Sequence, residues 1–375
     1  MVSELRFSRQ GESLWAAVVE DRRIVEIHPA WPPPGARVGA VYLARVQRIV
    51  PHLGAAFVQL APGLEGYLEA PAPEITRLGS GQALVVQVRR EAHAGKRARV
   101  SIKPQFAGRF MSVSPGGSGV AVSRSIEDRG ERRRLEAWAR DAGRPGRLVL
   151  RTAAAGTSED ALTAELQELA AQAAAVQRGA QQTTPPALLR PAPSLIERLI
   201  RDLAGRGLRR VVLESDEDES LAREVVPANV RVERHQGPPN LAQADGMLDA
   251  ARSATKPRVE LECGGSLAIE STRALWAVDV DSGPARVPAF AVNREAARAI
   301  AREIRLRDLA GTILVDFLTM KDGEREALET EFRQALRADR RYLRVTGWTG
   351  LGLCELARRR EGPSLAERLG SDGVG

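Results

Sequence analysis

Two short apolar runs, each closed by an aspartate, do most to limit what this chain can fold into. Leu275-Trp276-Ala277-Val278 leads into Asp279, and Ile313-Leu314-Val315 leads into Asp316. A helical pattern over about 289–308 separates them. That interval suits one strand–helix–strand unit, whose two strands can lie near each other and present both carboxylates at one edge. Two carboxylates meeting there repel unless a cation sits between them. Mg²⁺ is commonly held by one or two carboxylates together with waters and phosphate oxygens. Such an ion activates water and neutralises charge on a scissile phosphate. Asp281 lies two residues beyond Asp279, on the same side of the strand. The spacing also allows a plainer reading, in which these aspartates cap helices or form turns.

The flanking pattern fits a sheet with helices packed on it. Strands are predicted at Val259–Leu261, Ser266–Ile269, Leu275–Val280, Thr312–Phe317 and Tyr342–Thr346, and helices at about 289–308 and 323–338. Strands alternating with helices imply a mostly buried sheet with its chemistry at strand ends. Earlier in the chain, residues 13–28 read as a hairpin turning at Glu20-Asp21. Ala30-Trp31-Pro32-Pro33-Pro34-Gly35 reads as a stiff connector. Short β-rich segments from Ala40 to about Lys103, broken by glycines, read as a small barrel. Helices are expected over 127–141 and 159–177, with a strand at 148–151 between them. The Pro-, Gln- and Thr-rich stretch 181–193 reads as a boundary. Helix 194–205, strand 210–213 and helix 217–224 suggest an α/β unit, and a further helix is expected over 240–254.

Composition narrows the partner. The net charge of +7 and a pI near 10.0 favour an anionic partner, nucleic acid before membrane surface. Nearly all the cations are arginine, which suits bidentate phosphate contact and base stacking. Lys96, Lys103, Lys256 and Lys321 are the only lysines. Cys263 and Cys354 are isolated and form no C-x-x-C pair, so no zinc ribbon or disulfide framework is expected. Two scattered cysteines, no leader-like N-terminus and no apolar run of membrane length imply a cytoplasmic protein with no membrane partner.

The residues around the aspartates resemble a known catalytic signature. Gly264-Gly265-Ser266-Leu267-Ala268-Ile269-Glu270 and Ala277-Val278-Asp279-Val280-Asp281-Ser282-Gly283 resemble that of the ribonuclease E/G family. So do Asn293-Arg294-Glu295-Ala296-Ala297, Arg305-Leu306-Arg307-Asp308-Leu309-Ala310-Gly311, Val315-Asp316-Phe317 and Gly352-Leu353-Cys354-Glu355. The motifs keep the family's order, and a weaker resemblance extends over almost the whole chain.

The resemblance implies a mixed α/β fold. An RNase H-like scaffold (1–35 and 191–255) would carry an inserted OB-fold RNA-binding barrel (36–105) and a 5′-sensor-like region (106–190), followed by a DNase I-like catalytic region (256–375). It implies a Mg²⁺-dependent endoribonuclease, with Mn²⁺ as an alternative ion, that cleaves single-stranded RNA to 5′-phosphate and 3′-hydroxyl ends. Asp279 and Asp316 would hold the metal, and Asp281 would join them in catalysis where the family usually has Asn. Phe57, Tyr67 and Lys96 would contact RNA, although alternation alone leaves open whether the two rings face the barrel core. Gly108, Arg151 and Thr152 would bind a 5′-phosphate. Ser112 and Tyr342 depart from the family pattern near that site and imply a weaker preference for 5′-monophosphate ends.

The family's C-x-x-C zinc link does not occur in the sequence. No zinc is therefore expected, and the assembly would be a monomer or a dimer not linked through zinc. Two rival readings share these residues. One is an RNA-binding or chaperone protein of the same fold that cuts weakly or not at all. The other is a metal-dependent phosphatase or exonuclease acting on small substrates.

Overall fold

The computed structural model describes residues 3–30, 35–92, 95–143 and 146–370. They form two compact units, one from 3–30, 209–219 and 231–370, the other from 35–208 and 220–230. The fold is mixed α/β.

The first unit contains two sheets. One has the order Arg231–Arg234, Leu208–Leu213, Ser3–Gln10, Ser13–Glu20, Arg23–Ala30. Its tight hairpin turns at Asp21-Arg22, both in the left-handed region (φ 47° and 65°), as the twist-matched two-residue turn demands. That turn is one residue later than the sequence suggested, and the strand runs on through Ala30. The rest of the expected connector, Trp31–Pro34, lies outside the described residues. Strand Ser3–Gln10 was not expected from the sequence at all. It lies between Ser13–Glu20 and Leu208–Leu213 and joins the hairpin to the α/β unit. Trp15, Ala17, Val19 and Ile27 pack on Met247, Ala251, Leu306 and Leu365. The single helix expected over 240–254 is two, Leu241–Ala244 and Met247–Ser253, because Gly246 between them sits at φ 65°.

The second sheet of this unit has the order Arg258–Glu260, Ser266–Ser271, Leu275–Asp281, Gly311–Asp316, Cys354–Arg358, Leu343–Trp348. Helices Ala289–Leu306 and Asp322–Leu336 supply Ile300, Ile304, Leu328 and Phe332 to the core beneath it. Two expectations are corrected. Strand Cys354–Arg358 had been missed, and it inserts antiparallel between Gly311–Asp316 and Leu343–Trp348. The sheet is also not buried on both faces. Val278, Val280, Ile313 and Val315 are buried, whereas Ala277, Asp279, Asp281, Thr312 and Asp316 between them are exposed. Mixed pairing leaves one face without a covering helix, which is common where antiparallel pairs occur.

The other unit holds a closed five-stranded barrel. Strand Val41–Val50 pairs with Ala55–Ala61, then Leu64–Glu69, Ala98–Ser101 and Ala83–Arg90, which returns to Val41–Val50. The stretch 181–193 is not merely a connector: strand Ala187–Arg190 adds to the barrel beside Val41–Val50. A four-stranded sheet (order Val120–Val122, Gly146–Leu150, Met111–Pro115, Phe106–Ala107) completes the unit with helices Arg129–Asp141 and Glu159–Gln182. Leu135, Trp138, Leu162, Leu166 and Leu169 form its core with Met111, Leu148 and Leu150.

Candidate active site and nucleic-acid interface

Asp279 and Asp316 are direct register partners on adjacent parallel strands. Neighbouring strands lie about 4.8 Å apart, so the two carboxylates stand side by side on the open face. Among the described residues neither has a hydrogen-bond or ion-pair partner, leaving all four oxygens open to an outside ligand. Two hard oxygen donors with the remaining positions open match what Mg²⁺ takes. No cluster of three or more ligating side chains that could hold a metal occurs among the described residues. A metal here would therefore rest on two carboxylates, with water and substrate completing its shell.

Asp281 is placed differently. Its Oδ1 accepts the Gly283 amide at 2.9 Å and shapes the turn that ends the strand. Of the three aspartates on the exposed face, Asp281 is thus already engaged as a turn former.

The glycines of the neighbouring motifs have a steric cause. A Cβ on Gly265 would meet the Asp281 carbonyl oxygen at 2.8 Å, and one on Gly283 would meet the Gly264 carbonyl oxygen at the same distance. The turn before strand Ser266–Ser271 therefore presses against the end of strand Leu275–Asp281. Glu295 fixes that turn by accepting the backbone amides of Glu262 and Cys263. Asn293, fully buried, clamps the chain just beyond Asp316. Its amide donates to the Leu318 carbonyl at 2.8 Å, and its carbonyl accepts the Leu318 amide at 3.0 Å. Both side chains come from helix Ala289–Leu306, so one helix fixes the chain after Asp316 and the turn packed against the end of strand Leu275–Asp281.

The Arg305-Leu306-Arg307-Asp308 motif is structural. Arg305 pairs with Glu20 and Glu26, and Arg340 also pairs with Glu26. Arg341 and Arg358 converge on Asp308, and Arg358 also holds Asp339. Burial alone would raise both carboxyls. Arg340 and His28 outweigh it at Glu26, Arg341 and Arg358 outweigh it at Asp308, and both end below the ordinary carboxylate range.

On the barrel, Phe57 and Tyr67 face outward. Each is half-buried and flanked by the buried residues Ala56 and Val58, or Gly66 and Leu68. They are cross-strand partners with an edge-to-face contact at 5.6 Å. Arg48 is the partner of Phe57 on one side, and Arg99 the partner of Tyr67 on the other. Arg48 and Arg97 lie 4.5 and 5.0 Å from the Phe57 ring centroid, and Arg99 lies 6.0 Å from that of Tyr67. Lys96 is exposed next to Arg97. The row Arg48–Phe57–Tyr67–Arg99 combines π-faces with phosphate-pairing cations, the composition of a single-strand binding surface. Sequence reasoning missed the arginines, although the alternation Arg97-Ala98-Arg99-Val100 carries the signal.

Gly108, Arg151 and Thr152 do lie together, and each is already engaged. Arg151 donates to the Gly108 carbonyl at 2.9 Å and to Asp202 at 2.8 Å, and the Thr152 hydroxyl bonds that of Ser123 at 2.9 Å. Ser112 accepts from Gln105 at 2.7 Å. Tyr342 is 62% exposed.

Comparison with known proteins identifies the family. The model of the Ribonuclease E/G family matches residues 105–361. Ribonuclease E of Nostoc sp. is 34% identical over 89% of this chain and 53% of its own length. Ribonuclease E of Escherichia coli is 29% identical over 96% of this chain and 37% of its own length. Ribonuclease G of Escherichia coli is 29% identical over 98% of this chain and 82% of its own length. The chain thus spans about half the length of the cyanobacterial ribonucleases E that it matches. No helix among the described residues is long and apolar enough to cross a membrane. The match over the greater part of the chain places this protein in the ribonuclease E/G family.

Proposed function

We propose that this protein is a Mg²⁺-dependent endoribonuclease acting on single-stranded RNA in RNA processing or decay. The observation that carries the proposal is the register pairing of two unengaged carboxylates, Asp279 and Asp316, on an open sheet face. When bound between them, the ion would lower the pKa of a water and offset charge building on the scissile phosphate. The chain's own residues do the positioning. Asn293 holds the chain just after Asp316, and Glu295 holds the turn packed against the end of strand Leu275–Asp281, so that the aspartates need not reorganise during the reaction. The row Arg48–Phe57–Tyr67–Arg99 holds the strand by stacking and phosphate pairing. Water attack at phosphorus would leave 5′-phosphate and 3′-hydroxyl ends. In this reading the barrel is the OB-fold RNA-binding domain, inserted in an RNase H-like scaffold that precedes a DNase I-like catalytic region. The enzyme works in the cytoplasm.

The test uses purified protein, Mg²⁺ or Mn²⁺, and unstructured RNA in linear and circular form. Cutting of the circle establishes internal cleavage. Cleavage that persists when Asp279→Ala and Asp316→Ala are combined overturns the assignment. Retention of RNA on the barrel with no metal-dependent cutting favours the binding-protein alternative, which the aromatic and arginine row would serve equally well.

A further inference from the structure

On the open face of the six-stranded sheet, a cation stands in line with the paired aspartates. Strand register fixes its place. Arg258, on edge strand Arg258–Glu260, is the partner of Ala268, Ala268 is the partner of Asp279, and Asp279 is the partner of Asp316. Cross-strand partners share a face, and Val259, between Arg258 and Glu260, packs on the core beneath. Arg258 therefore stands on the side of the aspartates, two strand spacings or about 10 Å from Asp279. Ala268 between them ends at a methyl group, so the space above it is left to the longer side chains. The Arg258 Nε donates to Glu260 at 2.6 Å, and the side chain is 60% exposed. Its two Nη groups have no partner among the described residues and face outward to an acceptor. Glu260, and after it Asp281, raise the Arg258 pKa above its ordinary value, so the charge of Asp281 reaches the guanidinium across the same face.

We propose that Arg258 is a phosphate-binding residue of this site, whose guanidinium takes the non-bridging oxygens of the RNA phosphate that meets Asp279 and Asp316. The proposal rests on the reading of this chain as a nuclease acting on RNA. Three exposed aspartates repel a polyanion. Even with a divalent ion shared by Asp279 and Asp316, the charge of Asp281 would remain opposed to the RNA. Arg258 supplies positive charge from the edge of the same face. Its planar fork matches two phosphate oxygens at once, and Glu260 holds it at Nε, so it meets the substrate already oriented. A fixed donor at those oxygens also stabilises the charge that builds on them as water attacks. The plainer role, an exposed ion pair with Glu260, contributes little to the fold.

The experiment reads binding apart from cutting. A fluorescent single-stranded RNA is titrated by anisotropy over a salt series, without divalent ions, with the Asp279→Asn/Asp316→Asn protein carrying either Arg258 or Arg258→Gln. Removing the two aspartate charges lets a phosphate rest against the site in the absence of metal. Arg258→Gln is expected to lower the slope of log affinity against log salt by about 0.7, the value for one phosphate contact on a single strand. Glu260→Gln breaks the same ion pair but leaves the cation, and is expected not to lower the slope. In otherwise wild-type protein with Mg²⁺, Arg258→Gln is expected to lower kcat by about tenfold or more. Arg258→Lys keeps the charge without the fork and is expected to recover part of that loss. An unchanged slope or an unchanged kcat in Arg258→Gln overturns the proposal. So does a Glu260→Gln variant that loses slope and rate to the same extent, since the ion pair itself would then be the requirement. A wild type that does not cut would count against the nuclease reading and leave the slope to be read by itself.

Discussion

Asp279 and Asp316 stand side by side on one pair of parallel strands, and neither carboxylate has a partner among the described residues. Their exposure separates function from folding. Asp279→Asn and Asp316→Asn are each expected to lower RNA cleavage by about a hundredfold or more, the loss of ~3 kcal/mol of transition-state stabilisation. The melting temperature should stay within about a degree or two of the wild type, since exposed sites of this kind change stability by under about 0.5 kcal/mol. The double variant should lose little more than either single one, because the two act as a unit. Chelation by EDTA should abolish cutting in the wild type, and added Mg²⁺ should restore it.

Asp281 should behave unlike its neighbour two residues back. Asp281→Asn keeps an oxygen for the Gly283 amide and is expected to preserve cleavage. Asp281→Ala removes the acceptor and should cost about 1 kcal/mol of stability, measured by urea unfolding. Loss of cleavage in Asp281→Asn as complete as that in Asp279→Asn would make Asp281 a direct participant in the chemistry.

Asn293 touches neither aspartate, yet its two hydrogen bonds to Leu318 fix the backbone that follows Asp316. Asn293→Ala leaves the amide and carbonyl of half-buried Leu318 without this partner and should cost about 1–3 kcal/mol. Where the variant still folds, kcat should fall more than KM rises, because RNA is held elsewhere. Kinetics at saturating RNA measure that split.

The barrel row should control affinity. Phe57→Ala and Tyr67→Ala are each expected to weaken single-stranded RNA binding by about 1–3 kcal/mol. Arg48→Gln and Arg99→Gln should act through phosphates instead. Each is expected to lower the slope of log affinity against log salt by about 0.7, the value for one phosphate contact on a single strand. Anisotropy titrations over a salt series separate the two effects.

The buried ion network around Glu26 and Asp308 predicts acid sensitivity. Both carboxyls lie below their ordinary range in the fold, so the unfolded chain takes up protons first as pH falls. Their contribution is complete above about pH 4–5 and is lost as pH falls further, toward their folded values. Glu26→Gln should flatten the decline in melting temperature over that window. At neutral pH it should cost about 3–5 kcal/mol, because Arg305 and Arg340 would be left buried with fewer partners.

Much of the architecture was legible because period and punctuation are local properties. The alternation in Leu275–Asp281 and the apolar stripe of Ala289–Leu306 identify a strand and a helix without reference to anything distant. Strand Cys354–Arg358 was missed because its place between two other strands is a long-range fact. Two expectations failed for want of one glycine's backbone angle or one covering layer: the broken helix at Gly246 and the open face of the six-stranded sheet.

The sequence by itself determined which residue types occur at which spacing: paired aspartates after apolar runs, aromatic residues on short strands, and an arginine–threonine pair after another strand. Only the tertiary structure decided what each can do. It set Asp279 beside Asp316 through strand register, turned Phe57 and Tyr67 outward, and engaged Asp281 in a turn. It also bonded the Glu165 carboxylate to the amides of Arg109, Phe110 and Met111. Hydrogen bonding and charge pairing act between residues far apart in the chain, and only the folded backbone brings those partners within reach.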